Sequence, residues 1–79
     1  MSGPHTVIAP TERHLVPDRE PGAPPVTHTM RCSACGEESA PDGEWEPPQR
    51  WALAHSGRNP DHLGYEEIIT RPWRTRSKQ

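Results

Sequence analysis

The sequence predicts a small α+β domain held together more by a bound metal than by an apolar core. Three observations carry this reading. The chain has 79 residues, of which only 29% are hydrophobic; Phe is absent and Pro reaches 11. A core of a few Val, Ile, Leu and Trp is marginal at this size, and such domains normally need disulfides, a metal or oligomerisation. Cys32 and Cys35, two residues apart, are followed by His55 and His62, a ligand set suited to a closed tetrahedral zinc site. Around these four residues, β-prone runs flank one helix-prone stretch.

In chain order, residues 6–9 (Thr-Val-Ile-Ala) form a short β-prone run stopped by Pro10, an expected edge strand. From Thr11 to Pro25 the prolines Pro17, Pro21, Pro24 and Pro25 predict an irregular loop, with Leu15 and Val16 its only apolar pair. Residues 1–25 therefore read as an N-terminal segment preceding the metal-binding domain, residues 26–74. Residues 26–31 alternate, with Val26, His28 and Met30 at one parity, and predict a strand running directly into Cys32. Such a strand delivers the first Cys of a zinc knuckle. A tight turn brings up the second, and Gly36 frees the backbone where amides point at sulfur.

The acidic stretch 37–46 reads as a loop. Pro47 and Pro48 suit a helix entry, residues 49–55 are mostly good helix formers, and Gly57 is the expected C-terminal stop. Trp51 and His55 lie four apart on one face, so the indole can pack beneath the metal while the imidazole coordinates. Residues 65–70 predict a return strand, continuing through Trp73 with Pro72 at an edge position. Residues 75–79 read as a basic tail.

The ligand pattern is C-x2-C-x19-H-x6-H. Residues seven apart on one continuous helix are separated by ~10 Å along its axis, too far for two imidazoles to share one zinc. The helix must end near His55 and the chain must turn back, for which Gly57 and Pro60 are the expected break. Two thiolates and two imidazoles suit one zinc ion, cancel its charge and leave no open position, which implies a structural metal. His28 is the main rival to His62, whereas His5 and His14 lie in remote sequence. A redox C-x-x-C is the competing reading of the cysteines, but that motif belongs near a βαβ pattern in a larger domain.

The knuckle Cys32-Ser33-Ala34-Cys35-Gly36-Glu37-Glu38-Ser39, the segment Trp51-Ala52-Leu53-Ala54-His55, then His62, Tyr65 and Pro72-Trp73-Arg74 carry a resemblance. Together they resemble a group of short, mostly uncharacterised zinc-binding proteins of high-GC bacteria, with two cysteine and two histidine ligands. Their pattern has a C-x-x-C-G-E-x-S knuckle, a W-A-x-x-H helix and a G-H-x-x-[FY] return strand. The resemblance covers about residues 26–74, with Asp61 standing where the pattern has Gly. It implies a zinc-stabilised hairpin, helix and strand, and no particular activity.

Charge bounds the function. Residues 1–70 carry 5 basic and 11 acidic residues, net −6, whereas Arg71, Arg74, Arg76 and Lys78 make the end basic. An acidic body is poor material for binding a phosphate backbone, so a protein partner is expected, with Trp45 and Trp73 as candidate anchors. Nucleic-acid binding through the basic tail around Trp73 is the alternative. Nucleophile–base pairing is not evident and a saturated zinc cannot activate water, so an enzyme is not expected. The N-terminal residues lack a signal peptide's charged start and apolar run, and no apolar stretch approaches the ~20 residues of a membrane span. The cytoplasm is the expected compartment, where thiols stay reduced.

Overall fold

A computed structural model describes residues 6–8 and 13–77. The chain is α+β, and its described residues form five strands and one helix, in the order β1 (Thr6–Ile8), β2 (Arg13–Pro17), β3 (Thr27–Cys32), α1 (Glu46–Arg58), β4 (Tyr65–Thr70) and β5 (Trp73–Ser77). The strands form two sheets, one three-stranded in the order β1-β2-β5 and one two-stranded, β3-β4. The contacts divide likewise into two compact units, and Val26–Thr70 is the one that carries the knuckle, the helix and the return strand.

In that unit β3 and β4 pair antiparallel, from Thr27 opposite Thr70 to Cys32 opposite Tyr65. This register places Cys32 at the end of β3 beside the first residue of β4. The far edge of β3 is also covered. His28 and Asp42 exchange backbone hydrogen bonds of 2.7 and 3.0 Å, the Ser39 amide donates to the Met30 carbonyl at 2.9 Å, and the Met30 amide donates to Ser39 Oγ at 3.0 Å. The acidic loop after the knuckle thus runs back along β3 as a broken third strand, and Ser39 is buried there because its hydroxyl stands in for a ladder acceptor.

The helix begins at Glu46, one residue before the Pro47-Pro48 entry, with Glu46 suitably acidic in its first turn. It does not stop at Gly57. It continues to Arg58, and Asn59 ends it at φ −131° and ψ 81°. Both the backbone N–H and the side-chain amide of Asn59 donate to the His55 carbonyl, at 3.0 and 2.9 Å, so this residue supplies the cap that the sequence assigned to glycine.

Two other expectations are corrected. The return strand does not run through to Trp73: it ends at Thr70, and after Pro72 a separate strand, β5, pairs with β2 from Pro17 opposite Trp73 to Arg13 opposite Ser77. Pro72 cannot donate to a ladder, and its carbonyl accepts from the Asp18 amide at 2.9 Å where β5 begins. The Pro-rich stretch expected to be irregular also contains β2, whose Leu15 and Val16 are half-buried. In the expected edge strand, Thr6–Ile8 is a strand at the edge of this sheet, and Ala9 lies outside the described residues.

Burial is sparse. Among the described residues only Cys32, Ser39, Pro48, Ala52 and His55 are buried. Four of these five lie on α1 or in the metal cluster, so the centre of the unit is where the helix meets the knuckle. Gly57 is a plain helical residue there, and a Cβ added to it would meet nothing within 4 Å. Gly57→Ala is accordingly expected to stabilise the fold by about 0.5–1 kcal/mol. Denaturant titration checks this, since a loss of stability would restore Gly57 as a required stop.

Candidate metal centre

Three segments deliver the four side chains. Cys32 and Cys35 come from the end of β3 and its turn, His55 from the third turn of α1, and His62 from the loop between α1 and β4. Their ligand atoms all lie within 4.8 Å of one another. The turn closes through the Gly36 amide donating to the Cys32 carbonyl at 2.8 Å and the Cys32 amide donating to the Glu37 carbonyl at 2.9 Å. Gly36 sits at φ +83°, a left-handed conformation that side chains disfavour. The Ser33 amide donates to the Gly64 carbonyl at 2.9 Å and ties the knuckle to the start of β4.

Asn59 explains the long histidine spacing. It holds the His55 carbonyl from two donors, and its own carbonyl accepts from the His62 amide at 2.8 Å. The turn after the helix therefore fixes one histidine relative to the other.

Three edges of the cluster match a metal tetrahedron, and the others lie within 4.8 Å. Ligand bonds of about 2.3 Å to sulfur and 2.0 Å to nitrogen give tetrahedral edges of ~3.5 Å for S–N and ~3.3 Å for N–N. The observed separations are 3.5 Å from Cys32 Sγ to His62 Nδ1, 3.4 Å from Cys35 Sγ to His55 Nε2, and 3.3 Å between the two nitrogens. The arrangement is compatible with one bound metal ion.

The surroundings orient the imidazole and the sulfurs. His55 is 2% exposed and turns Nε2 into the cluster, while its Nδ1 lies 3.3 Å from Glu37 Oε1. That carboxylate fixes the tautomer leaving Nε2 free to ligate, the usual carboxylate–histidine–metal relay. Trp51 stacks on His55 with centroids 4.9 Å apart and planes inclined by 17°, as its position one turn earlier suggests. Tyr65 meets the same imidazole edge-to-face at 6.1 Å. The His55 imidazole is thereby held on three sides.

The two thiols differ. Burial pushes Cys32 up, but the amides of Cys35 and Ala34, the Cys35 thiol and the Tyr65 hydroxyl outweigh it and lower its pKa. At Cys35 the Glu37 amide favours the thiolate, yet desolvation and the neighbouring Cys32 sulfur prevail and raise its pKa. The Tyr65 hydroxyl is sealed from solvent without a hydrogen bond of standard geometry, and it faces Ser56 and Cys32. Burial and the Cys32 charge raise its pKa, keeping the phenol protonated as a donor. A sulfur that carries charge, as a metal-bound thiolate does, is the acceptor this hydroxyl otherwise lacks. The donor set and its surroundings thus fit one bound metal ion.

The other histidines lie elsewhere. His28 is on β3 opposite Ile69, with Nδ1 3.3 Å from Glu67 Oε2, and is not in the cluster. His14 is on β2 opposite Arg76, and His5 lies outside the described residues. In the sequence Glu37 reads as one of several solvated loop acids, and Asn59 as part of a turn. The adjacency of Glu37 to the Cys-Gly turn was the available signal for the first. For Asn59 the signal was its aptitude for ending helices.

Glu37→Gln keeps the backbone amide that faces Cys35 and removes the anionic partner of His55. Since Glu37 is 69% exposed, the expected loss of metal affinity is about tenfold, the lower end for such partners. Competition with a chromogenic chelator measures it, and unchanged affinity would show that the carboxylate plays no part in holding the metal.

No curated protein and no solved structure matches the chain. A family model described as "Domain of unknown function (DUF7848)" matches residues 1–79, and the chain belongs to that family.

Proposed function

We propose that Cys32, Cys35, His55 and His62 hold one Zn2+ as a structural centre, and that the domain acts as a protein-interaction module. The observation that supports the zinc most directly is the agreement of the three ligand separations with a tetrahedron of two sulfurs and two nitrogens. Two thiolates neutralise the ion, which favours this site over one for magnesium or calcium. Four protein ligands leave no position for water or substrate, so the metal's contribution is to folding and not to catalysis. Free thiols at Cys32 and Cys35 suit a reducing compartment such as the cytoplasm. No described helix is long and apolar enough to cross a membrane.

The interaction role draws support from apolar side chains left in solvent on a unit with so little interior. Leu63 is 77% exposed, Leu53 74% and Trp45 56%. The nucleic-acid alternative is weakened at the basic end of the chain. Arg74 Nε lies 3.2 Å from Asp18 and Arg76 is 3.0 Å from Glu20, so β5 spends part of its charge on its own unit. Such exposed pairs stabilise little, about 0–1 kcal/mol, but they lower the potential available to a phosphate backbone.

Elemental analysis of the purified protein tests the zinc assignment. One zinc per chain is expected, lost in Cys32→Ala, Cys35→Ala, His55→Ala and His62→Ala and retained in His28→Ala. Zinc retained without His62, or lost without His28, would overturn the ligand set. Salt-sensitive binding to DNA or RNA, abolished by replacing Arg71, Arg74, Arg76 and Lys78, would displace the protein-interaction reading.

A further inference from the structure

The two cysteines of the cluster occupy unequal environments. Cys32 is 0% exposed and stands opposite Tyr65 in the β3–β4 register, and the Tyr65 hydroxyl is sealed from solvent without a hydrogen-bond partner of its own. Cys35 is exposed. Burial closes directions of approach to a thiolate, and a hydroxyl that donates to it draws electron density away, so the sulfur with less access and the Tyr65 hydroxyl beside it is the poorer nucleophile. The Glu37 carboxylate, two residues along from Cys35 and 3.3 Å from His55 Nδ1, disfavours anionic reagents there.

We propose that Cys35 Sγ is the point at which a small neutral oxidant, of the hydrogen peroxide class, attacks the metal centre, with Cys32 as the resolving thiol. This rests on the metal reading above. The Cys35 thiolate takes one oxygen from peroxide, giving a sulfenic acid and releasing hydroxide. The Cys32 thiolate then displaces hydroxide from that sulfur and closes a Cys32–Cys35 disulfide. The two thiolates give up two electrons in all, and one peroxide becomes two hydroxides. The sulfurs lie within 4.8 Å of each other, close enough for the turn to close the bond with a small shift. The disulfide takes two of the four ligands out of use, so a zinc ion held there would be released, and a thiol reductant with zinc would restore the centre.

The order of attack is read with a limiting amount of N-ethylmaleimide, a neutral electrophile, on zinc-loaded protein, followed by fragment mass spectrometry of the singly labelled species. Label on Cys35 is expected to exceed label on Cys32 by about tenfold or more. Tyr65→Phe removes one donor from Cys32 and keeps the ring, so it is expected to narrow that ratio, which a purely structural role for the hydroxyl would not do. With peroxide, one zinc should be released per disulfide formed. An even split or label first on Cys32 overturns the proposal, as does peroxide oxidation that leaves zinc bound. An unchanged ratio in Tyr65→Phe overturns the part given to the hydroxyl. Metal analysis of the same starting sample separates the two readings: protein without zinc refutes the metal centre and this proposal together, whereas zinc-loaded protein labelled first at Cys32 refutes only this proposal.

Discussion

Everything in the unit Val26–Thr70 depends on bringing two sulfurs and two imidazole nitrogens to one point. Among the described residues five are buried, and two of these, Cys32 and His55, belong to the cluster itself. Pro48 and Ala52 lie on the same helix as His55. Little apolar surface remains to pack independently, so core and candidate metal centre coincide. The magnitudes agree with this division of labour. Zinc-finger peptides bind their metal with about 10–16 kcal/mol, as much as the whole net stability of an ordinary domain, about 5–15 kcal/mol.

His55 shows how a small domain fixes a ligand without a large interior. Its carbonyl is held by Asn59, its Nδ1 faces Glu37, and its ring is stacked by Trp51 and edged by Tyr65. These contacts come from the helix, the turn after it, the knuckle and β4. A single imidazole thus links the helix, the turn after it, the knuckle and β4, so its removal disturbs packing as well as the cluster. Asn59 extends this by passing a hydrogen bond on to the amide of His62. The long spacing between the histidines is the length of chain needed to finish the helix, turn at Asn59 and return to the cluster.

That the four side chains meet was legible because of residue type and spacing, and because one continuous helix cannot bring His55 and His62 together. The strands β3 and β4 were legible from alternation and β-branched residues, and the stacking of Trp51 on His55 from a separation of four. What escaped was set by distant partners. The prolines around Leu15 and Val16 obscure β2, whose partners in β5 lie near the other end of the chain. The run Trp73–Ser77 alternates as a strand should, but its arginines give it the look of a solvated tail. Gly57 reads as a stop because glycine often is one. Here the Asn59 cap, aided by the geometry the cluster demands, places the end two residues later. The partnership of Glu37 with His55 and the approach of Tyr65 to Cys32 exist only once the chain has folded, and no local pattern encodes them.

The most direct test of a metal-dependent fold is the amide correlation spectrum of isotopically labelled protein during stepwise chelation and return of zinc. Dispersed signals from Val26–Thr70 are expected to collapse together as the metal is withdrawn and to return with one equivalent of zinc per chain. Dispersed signals that persist in metal-free protein would contradict this, because the fold would then stand on packing that the five buried residues do not supply.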